Sequence, residues 1–198
     1  MTSGSRRWVG LAALFGVVAL ALYGVAPSTL DWQPALAFRQ PWRTFTAVAV
    51  HYSALHLAAN LAGLALVGAL GAVARVPAAM VWAWVVAWPL TQLGLLARPD
   101  LAHYGGLSGV LHAGAAVVAV HLICSGPKSR RLIGTALLAG IALKVLGEAP
   151  WGPALRHPAG WDIATAPFAH ATGLTAGIAC ALAASVRRSR RTNIGTDA

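Results

Sequence analysis

The sequence predicts an all-α membrane protein with one domain of six membrane-spanning helices. Of its 198 residues, 58% are hydrophobic and 10% are charged, whereas soluble domains contain about 25% charged residues. The hydrophobic residues fall in six runs, each close to the roughly 20 residues that a helix needs to cross a bilayer. We predict the helices at approximately 8–26, 51–74, 77–97, 105–125, 131–147 and 166–186. This pattern excludes a soluble globular core.

The first run has one feature of a signal peptide, because Arg6 and Arg7 precede it. The run is longer than the usual hydrophobic core of a signal peptide, and no Ala-x-Ala cleavage site closes it. We therefore expect an uncleaved first helix.

The segments between the runs are too polar or too rich in proline to span. They cover residues 27–50, 98–104 and 148–165, and a basic tail follows at 187–198. Segment 27–50 is long for a connection and mixes aromatic with charged residues, which is typical of the membrane interface. Composition leaves two interpretations open, a plain loop or a packed element that braces a site.

The net charge of +10 is distributed as membrane topology requires, which argues against nucleic acid as a partner. With six spans, ten of the fifteen Lys and Arg residues lie on the side of the termini and four on the other. The positive-inside rule then makes both termini cytoplasmic. The second, fourth and sixth helices run from outside to inside.

Polar side chains lie near the outer ends of these three inward-running helices. Ser108 opens the fourth helix, His170 lies early in the sixth, and His56 and Asn60 share one face of the second. At 1.5 Å per residue, all four lie within about 10 Å of the outer interface. Because polar groups in a bilayer are costly unless they face each other or water, we expect them to converge.

Small residues indicate how the fourth and sixth helices approach. Gly173 and Gly177 form a Gly-xxx-Gly face on the sixth helix, and Gly109 lies on the fourth. Such faces allow close backbone contact. This contact would bring His170 within hydrogen-bonding reach of Ser108.

The residue types favour nucleophilic catalysis. A serine hydroxyl becomes a good nucleophile when a base such as His170 takes its proton. Attack on an amide creates an oxyanion that needs donors about 3 Å away, and His56, Asn60 and the first N–H groups of the fourth helix could supply them. Asp162 lies in a loop upstream of His170, so we expect a Ser-His dyad without a carboxylate. This chemistry needs no cofactor and no metal.

Each of these residues alone has an ordinary structural explanation. A lone serine usually bonds to its own helix, and a lone membrane histidine is often a core residue or a proton relay. We interpret His51 as structural or at the rim, and assign no role to His103, His121 or His157. A histidine-lined metal or proton transporter would spread its polar groups through the bilayer depth, whereas this chain clusters them at one end.

Together these residues resemble the rhomboid family of intramembrane serine proteases. The matching motifs are Gln40-Pro41-Trp42-Arg43-Thr44, His51-x4-His56-x3-Asn60, Gly106-Leu107-Ser108-Gly109 and Ala169-His170-x2-Gly173-x3-Gly177. The resemblance implies a six-helix core with a water-filled cavity, Ser108 as nucleophile, His170 as general base and then acid, and His56 with Asn60 as oxyanion donors. It also implies that 27–50 is a membrane-embedded first loop and that Gly106 belongs to the site.

One departure from the family pattern is His112, where many rhomboids have a tyrosine that stacks on the catalytic histidine. We expect His112 to stack on His170 in the same way or to tune its pKa. His112, the short chain, and Lys144 with Glu148 are similar to the rhombosortase subfamily, although Lys144 and Glu148 are also explained by an ion pair at the membrane edge.

The subfamily resemblance implies single-span membrane proteins with C-terminal Gly-Gly tails as substrates. It also implies a multi-pass protein of the bacterial inner membrane whose site opens to the periplasm. Two alternatives stay open: a general rhomboid protease with other single-span substrates, and a non-catalytic rhomboid-like protein that binds membrane helices. The intact Ser108 and His170 favour an enzyme.

Overall fold

The computed structural model describes the backbone of residues 1–194 and the side chains of residues 1–187. It contains six long helices, α1 (Ser3–Ala21), α2 (Ala54–Val73), α3 (Ala78–Gly94), α4 (Ser108–Ser125), α5 (Lys128–Gly147) and α6 (Pro167–Ile194). Residues 1–194 contain no β-strand, only isolated bridges that pair Trp32 with Tyr104 and Arg156 with Thr165. The predicted all-α fold is confirmed.

Five of the long helices are long and apolar enough to cross a membrane, and α5 is not among them. Its first turn contains Lys128, Arg130 and Arg131, and Lys144 lies near its end. These charges lower its mean hydropathy. The count of six spans therefore stays a prediction, as does the side on which the termini lie.

Four helices lie within three residues of their predicted bounds, and the first and last differ by more. The first helix begins at Ser3, because the Thr2 hydroxyl caps it by accepting a hydrogen bond from the Ser5 N–H at 3.1 Å. It ends at Ala21, shortly before Gly24, whose φ is +96°. The last helix continues to Ile194, so the segment predicted as a tail begins as helix. Residues 195–198 lie outside the described part.

Helix α4 forms the centre of the molecule. It contacts α2, α3, α5 and α6, and thirteen of its eighteen residues are buried. Its sequence suits this position, because it is apolar around its whole circumference. Ser108, its first residue, therefore lies at one end of the most enclosed element of the fold.

Segment 27–50 is a packed element rather than a plain loop. It contains short helical turns at Pro27–Leu30, Pro34–Leu36, Arg43–Thr46 and Ala47–Ala49. A buried ion pair joins Arg43 to Asp31 at 3.2 Å. The backbone of Trp32 exchanges two hydrogen bonds of 2.7 and 2.8 Å with that of Tyr104, just before α4. The segment thus braces the connection that leads into Ser108.

Candidate active site

A cavity of about 830 Å³ brings the four sequence-predicted site residues together. Ser108 lies at the start of α4, His170 on α6, and His56 and Asn60 on α2, and all four line the cavity wall. The auxiliary residue His112 also lines it. The convergence expected from the helix directions is therefore present in the structure.

Gly106 shapes the wall beside Ser108. Its φ is +115°, a conformation that favours glycine. A Cβ atom there would lie 2.6 Å from His56 Nε2 and 3.2 Å from Asn60 Nδ2. The absence of a side chain at Gly106 thus lets the backbone before Ser108 run directly against the two predicted oxyanion donors.

Helices α4 and α6 meet through backbone contact. A Cβ at Gly173 would overlap the carbonyl of Gly109, and one at Gly177 would overlap the carbonyl of Ala113. The small-residue face predicted from the sequence is therefore the contact surface. It sets His170 and Ser108 side by side at the same end of two closely packed helices.

A carboxylate contacts His170, contrary to the expectation that none would reach it. His170 Nδ1–H donates a hydrogen bond to Glu148 Oε2 at 2.6 Å. That expectation rested on Asp162, the carboxylate nearest to His170 along the chain, whereas α5 runs toward the predicted outer side and ends beside the start of α6. The Ser-His dyad itself stays a prediction. Glu148 follows the last residue of α5.

Two further contacts fix Glu148. Its Oε1 accepts a hydrogen bond from Lys144 at 2.7 Å, and its backbone carbonyl accepts one from Arg156 at 2.6 Å. Burial raises the pKa of Glu148, but the hydrogen bonds and charges of His170 and Lys144 outweigh it and hold the pKa at about 2. Glu148 is therefore ionised at neutral pH.

The hydrogen bonds assign the proton positions on His170 and His56. With Nδ1–H committed to Glu148, the Nε2 atom of His170 is left as the basic nitrogen. His56 Nδ1 accepts a bond from the Tyr52 N–H at 3.3 Å, so its Nε2 carries a hydrogen. Asn60 Nδ2 has no hydrogen-bond partner among the described residues. Two donors are thus available beside Ser108.

The Ser108 hydroxyl does not hydrogen bond to His170 within the described part of the chain; it lies against the hydroxyl of Tyr104. Burial raises the pKa of Tyr104, while the neighbouring Ser108 hydroxyl and the Gly109 N–H act in the opposite direction. Catalytic hydrogen bonds often shorten only when substrate binds.

The rhomboid domain model matches residues 39–187, which is most of the chain and includes every residue of the cavity described above. The chain belongs to the rhomboid family. Rhomboid proteins are in general intramembrane serine proteases that act on membrane proteins. A search among curated proteins gives no match.

In this rhomboid, His112 stacks on His170, with ring centroids 4.3 Å apart and planes 17° apart. Its Nε2 lies 3.1 Å from Lys144 Nζ, and its Nδ1 lies 2.7 Å from the Ser108 carbonyl oxygen. Lysine can only donate and a carbonyl can only accept. His112 is therefore held neutral, with its proton on Nδ1. Lys144 contacts His112 as well as Glu148, so its role is not limited to an ion pair at the membrane edge.

Sequence reasoning missed a second polar cluster of the rhomboid fold, centred on Asp31. Asp31 Oδ2 lies 2.8 Å from His103 Nδ1 and 3.3 Å from the Tyr52 hydroxyl, and its Oδ1 contacts Arg43. Burial, with Asp31 alongside, raises the pKa of Tyr52. Tyr52 and His103 line the cavity, so this cluster ties segment 27–50 to the site.

His51 has the structural position expected of it. It is buried, its Nδ1 lies 3.2 Å from the Ala49 carbonyl oxygen, and its ring packs 4.8 Å from that of His56. Burial lowers its pKa. A neutral His51 supports the ring of His56 without entering the cavity lining.

Proposed function

We propose that this rhomboid is an intramembrane serine endopeptidase that uses Ser108, His170 and Glu148 as a triad. The observation that carries the proposal is the 2.6 Å hydrogen bond that commits His170 Nδ1 to an ionised carboxylate. It leaves Nε2 as a base in the cavity that also contains the Ser108 hydroxyl. The substrate is a membrane protein cut in or beside its membrane helix.

The proposed reaction starts when Ser108 Oγ attacks the carbonyl carbon of the scissile amide. His170 Nε2 takes the hydroxyl proton, and Glu148 stabilises the imidazolium that forms. The oxyanion accepts hydrogen bonds from His56 Nε2–H and Asn60 Nδ2–H, and from first-turn N–H groups of α4, which have no intrahelical partner.

The tetrahedral intermediate collapses when His170 gives its proton to the leaving amine. This step releases the C-terminal part of the substrate and leaves an acyl ester on Ser108. His170 then takes a proton from water, whose oxygen attacks the ester carbonyl. His170 returns this proton to Ser108 Oγ as the ester bond breaks, which releases the N-terminal product as a carboxylic acid and restores the free hydroxyl. Lys144 and His112 act in support, since His112 stays neutral beneath the ring that becomes charged.

We further propose that the enzyme is a rhombosortase acting on C-terminal Gly-Gly tails followed by one helix and basic residues. The resemblance of His112, Lys144 and Glu148 to that subfamily supports this assignment. Small residues at the cut suit the chemistry, because a helix must unwind there to expose its amide. The corresponding location is the bacterial inner membrane, with the cavity facing the periplasm and both termini in the cytoplasm.

Fluorophosphonate labelling in detergent tests the serine chemistry. We expect the purified wild type to be labelled and Ser108→Ala and His170→Ala not to be. Ser185→Ala is the matched control, because the Ser185 hydroxyl only bonds to the Ala181 carbonyl within α6. Absence of labelling and of substrate cleavage by folded wild type would instead favour the non-catalytic helix-binding alternative.

A pair of reconstituted substrates tests the specificity. One single-span protein carries Gly-Gly before its helix and a basic tail, and its partner has Leu-Leu at the same place. We expect cleavage of the first only, and none with Ser108→Ala. Equal cleavage of both would favour a general rhomboid protease.

A further inference from the structure

A second cavity, of about 390 Å³, lies at the opposite end of the bundle from Ser108. It is bounded by the start of α1, the connection between α2 and α3, and the junction of α4 with α5. Ser125 at the last turn of α4 lines it, so it is separated from Ser108 by the length of that helix, about 25 Å at 1.5 Å per residue. It takes no part in the proposed proteolysis.

Two arginines line this cavity, Arg75 and Arg130. They are neighbours, because an Arg130 Nη2–H donates to the carbonyl of Ala74, the residue before Arg75. Neither arginine forms an ion pair with any described residue. Every Asp and Glu of the described residues lies in a connection at the other end of the bundle. Among the described residues, the cavity therefore holds positive charge with no counter-charge.

Arg75 has an unusual backbone conformation. Its φ is +54° at the end of α2, where the Val76 N–H bonds back to the Gly71 carbonyl at 3.1 Å. Such positions favour glycine, because a Cβ atom is strained there. Arg75 thus lines the cavity at some local backbone cost, which favours a role for its side chain there.

Residues with neutral hydrogen-bond donors also line the cavity. They include Ser3, Ser125 and Ala78, the first residue of α3. Helix α3 has no side-chain cap at its N-terminus, so its first N–H groups are available to an anion. Guanidinium groups, hydroxyls and helix N–H groups together are the donor set that binds phosphate.

We propose that this cavity binds a phosphate group, carried by the headgroup of an anionic phospholipid or by a soluble anion. The basic residues around it, Arg6, Arg7, Lys128 and Arg131, would attract anionic lipid to the same surface. The cavity differs from that general attraction because it brings two arginines and neutral donors to one enclosed space.

Native mass spectrometry of the full chain in detergent tests the lipid source, with phosphatidylglycerol and phosphatidylcholine offered at equal concentration. The variants are Arg75→Gln and, as the matched control, Arg131→Gln, whose side chain bonds to Gly126 outside the cavity lining. Loss of a charge-assisted hydrogen bond corresponds to about tenfold or more in affinity. Loss of one surface charge corresponds to about fivefold.

We expect the wild type to retain phosphatidylglycerol in preference to phosphatidylcholine. Arg75→Gln should lower the retention of phosphatidylglycerol by about tenfold or more, whereas Arg131→Gln should lower it by about fivefold at most. A parallel arm measures the thermal unfolding of the same proteins with inorganic phosphate or chloride at equal ionic strength. Stabilisation of wild type but not of Arg75→Gln by phosphate, without lipid retention, would support a soluble anion as the source.

Equal loss in the two variants, or no preference for phosphate in either arm, would overturn the proposal. Arg75→Lys keeps the charge and the backbone strain but removes the planar fork. It should retain part of the binding if the cavity holds phosphate. An Arg75→Lys protein that is folded, as judged by the same unfolding curve, but binds no better than Arg75→Gln would also count against the proposal.

Discussion

Replacement of Glu148 tests whether the site is a triad. The side chain accepts the His170 Nδ1–H at 2.6 Å, and it should stabilise the ring when His170 becomes positive. A hydrogen bond to a charged group is worth about 1.5–3 kcal/mol, whereas two unit charges 4 Å apart at an effective dielectric constant of 20 interact by about 4 kcal/mol. Because the Glu148 side chain is 30% exposed, solvent screening favours the lower range.

A loss of about 1.5–3 kcal/mol in transition-state stabilisation predicts a loss of about 10- to 150-fold in kcat for Glu148→Ala. Glu148→Gln should lose at least as much, because an amide can donate to His170 Nδ1 and so place the ring proton on Nε2, where it blocks the base. The assay is cleavage of a single-span substrate in proteoliposomes, together with the rate of fluorophosphonate labelling.

Asp162→Asn is the matched control for this experiment. Asp162 lies on the same connection as Glu148, but its carboxylate accepts from the Ser53 hydroxyl at 2.8 Å. It should keep kcat within about threefold. If Glu148→Ala and Glu148→Gln both kept kcat within the range of this control, the triad would be refuted and the Ser-His dyad restored.

Three further predictions concern the donors, the helix contact and pH. Single His56→Ala and Asn60→Ala variants should each lower kcat by about 10²–10³ while thermal unfolding changes little, because each removes one oxyanion donor. A kcat equal to that of the wild type in both variants would contradict their role. Gly173→Ala should destabilise the protein by about 1–3 kcal/mol in thermal or denaturant unfolding, because its Cβ overlaps a backbone carbonyl of α4. Gly140→Ala is its control, since a Cβ there has nothing within 4 Å, and an equal effect would show that close contact is not the cause. The folded pKa of Glu148, about 2, is below its ordinary value of 4.5. The charge of Glu148 therefore contributes stability that is fully present above pH 4.5 and is lost as the pH falls toward 2. The difference in unfolding temperature between wild type and Glu148→Gln should be constant at neutral pH and shrink below pH 4.5, and a difference that grew on acidification would contradict the assignment.

The sequence predicted the site residues that share a direction, because helix direction converts position along the chain into depth. Ser108, His170, His56 and Asn60 all lie early in helices that enter from one side, and the structure places them around one cavity. The contact of Glu148 was not predicted because Glu148 lies at the end of a helix that runs the opposite way. The end of an outward-running helix lies at the same depth as the start of an inward-running one, so residues at both can meet.

The cluster around Asp31 could not be predicted from periodicity. His103 lies 72 residues further along the chain and Tyr52 lies 21 residues further, and all three are in connections, where no repeating pattern relates one residue to another. Composition left segment 27–50 open between a loop and a packed element for the same reason. The decisive contacts, Arg43 with Asp31 and Trp32 with Tyr104, depend on the tertiary fold alone.

The order in which the chain is made has a consequence for when the protein can act. The cavity needs α2, α4, the end of α5 and the start of α6, and Glu148 and His170 are supplied by the last part of the matched domain. Domains form as their segments leave the ribosome, N-terminal parts first. If Ser108 and His170 act as proposed, a chain interrupted before α6 would hold the serine without its base. Partly synthesised copies in the membrane would then carry the hydroxyl but could not cut their neighbours.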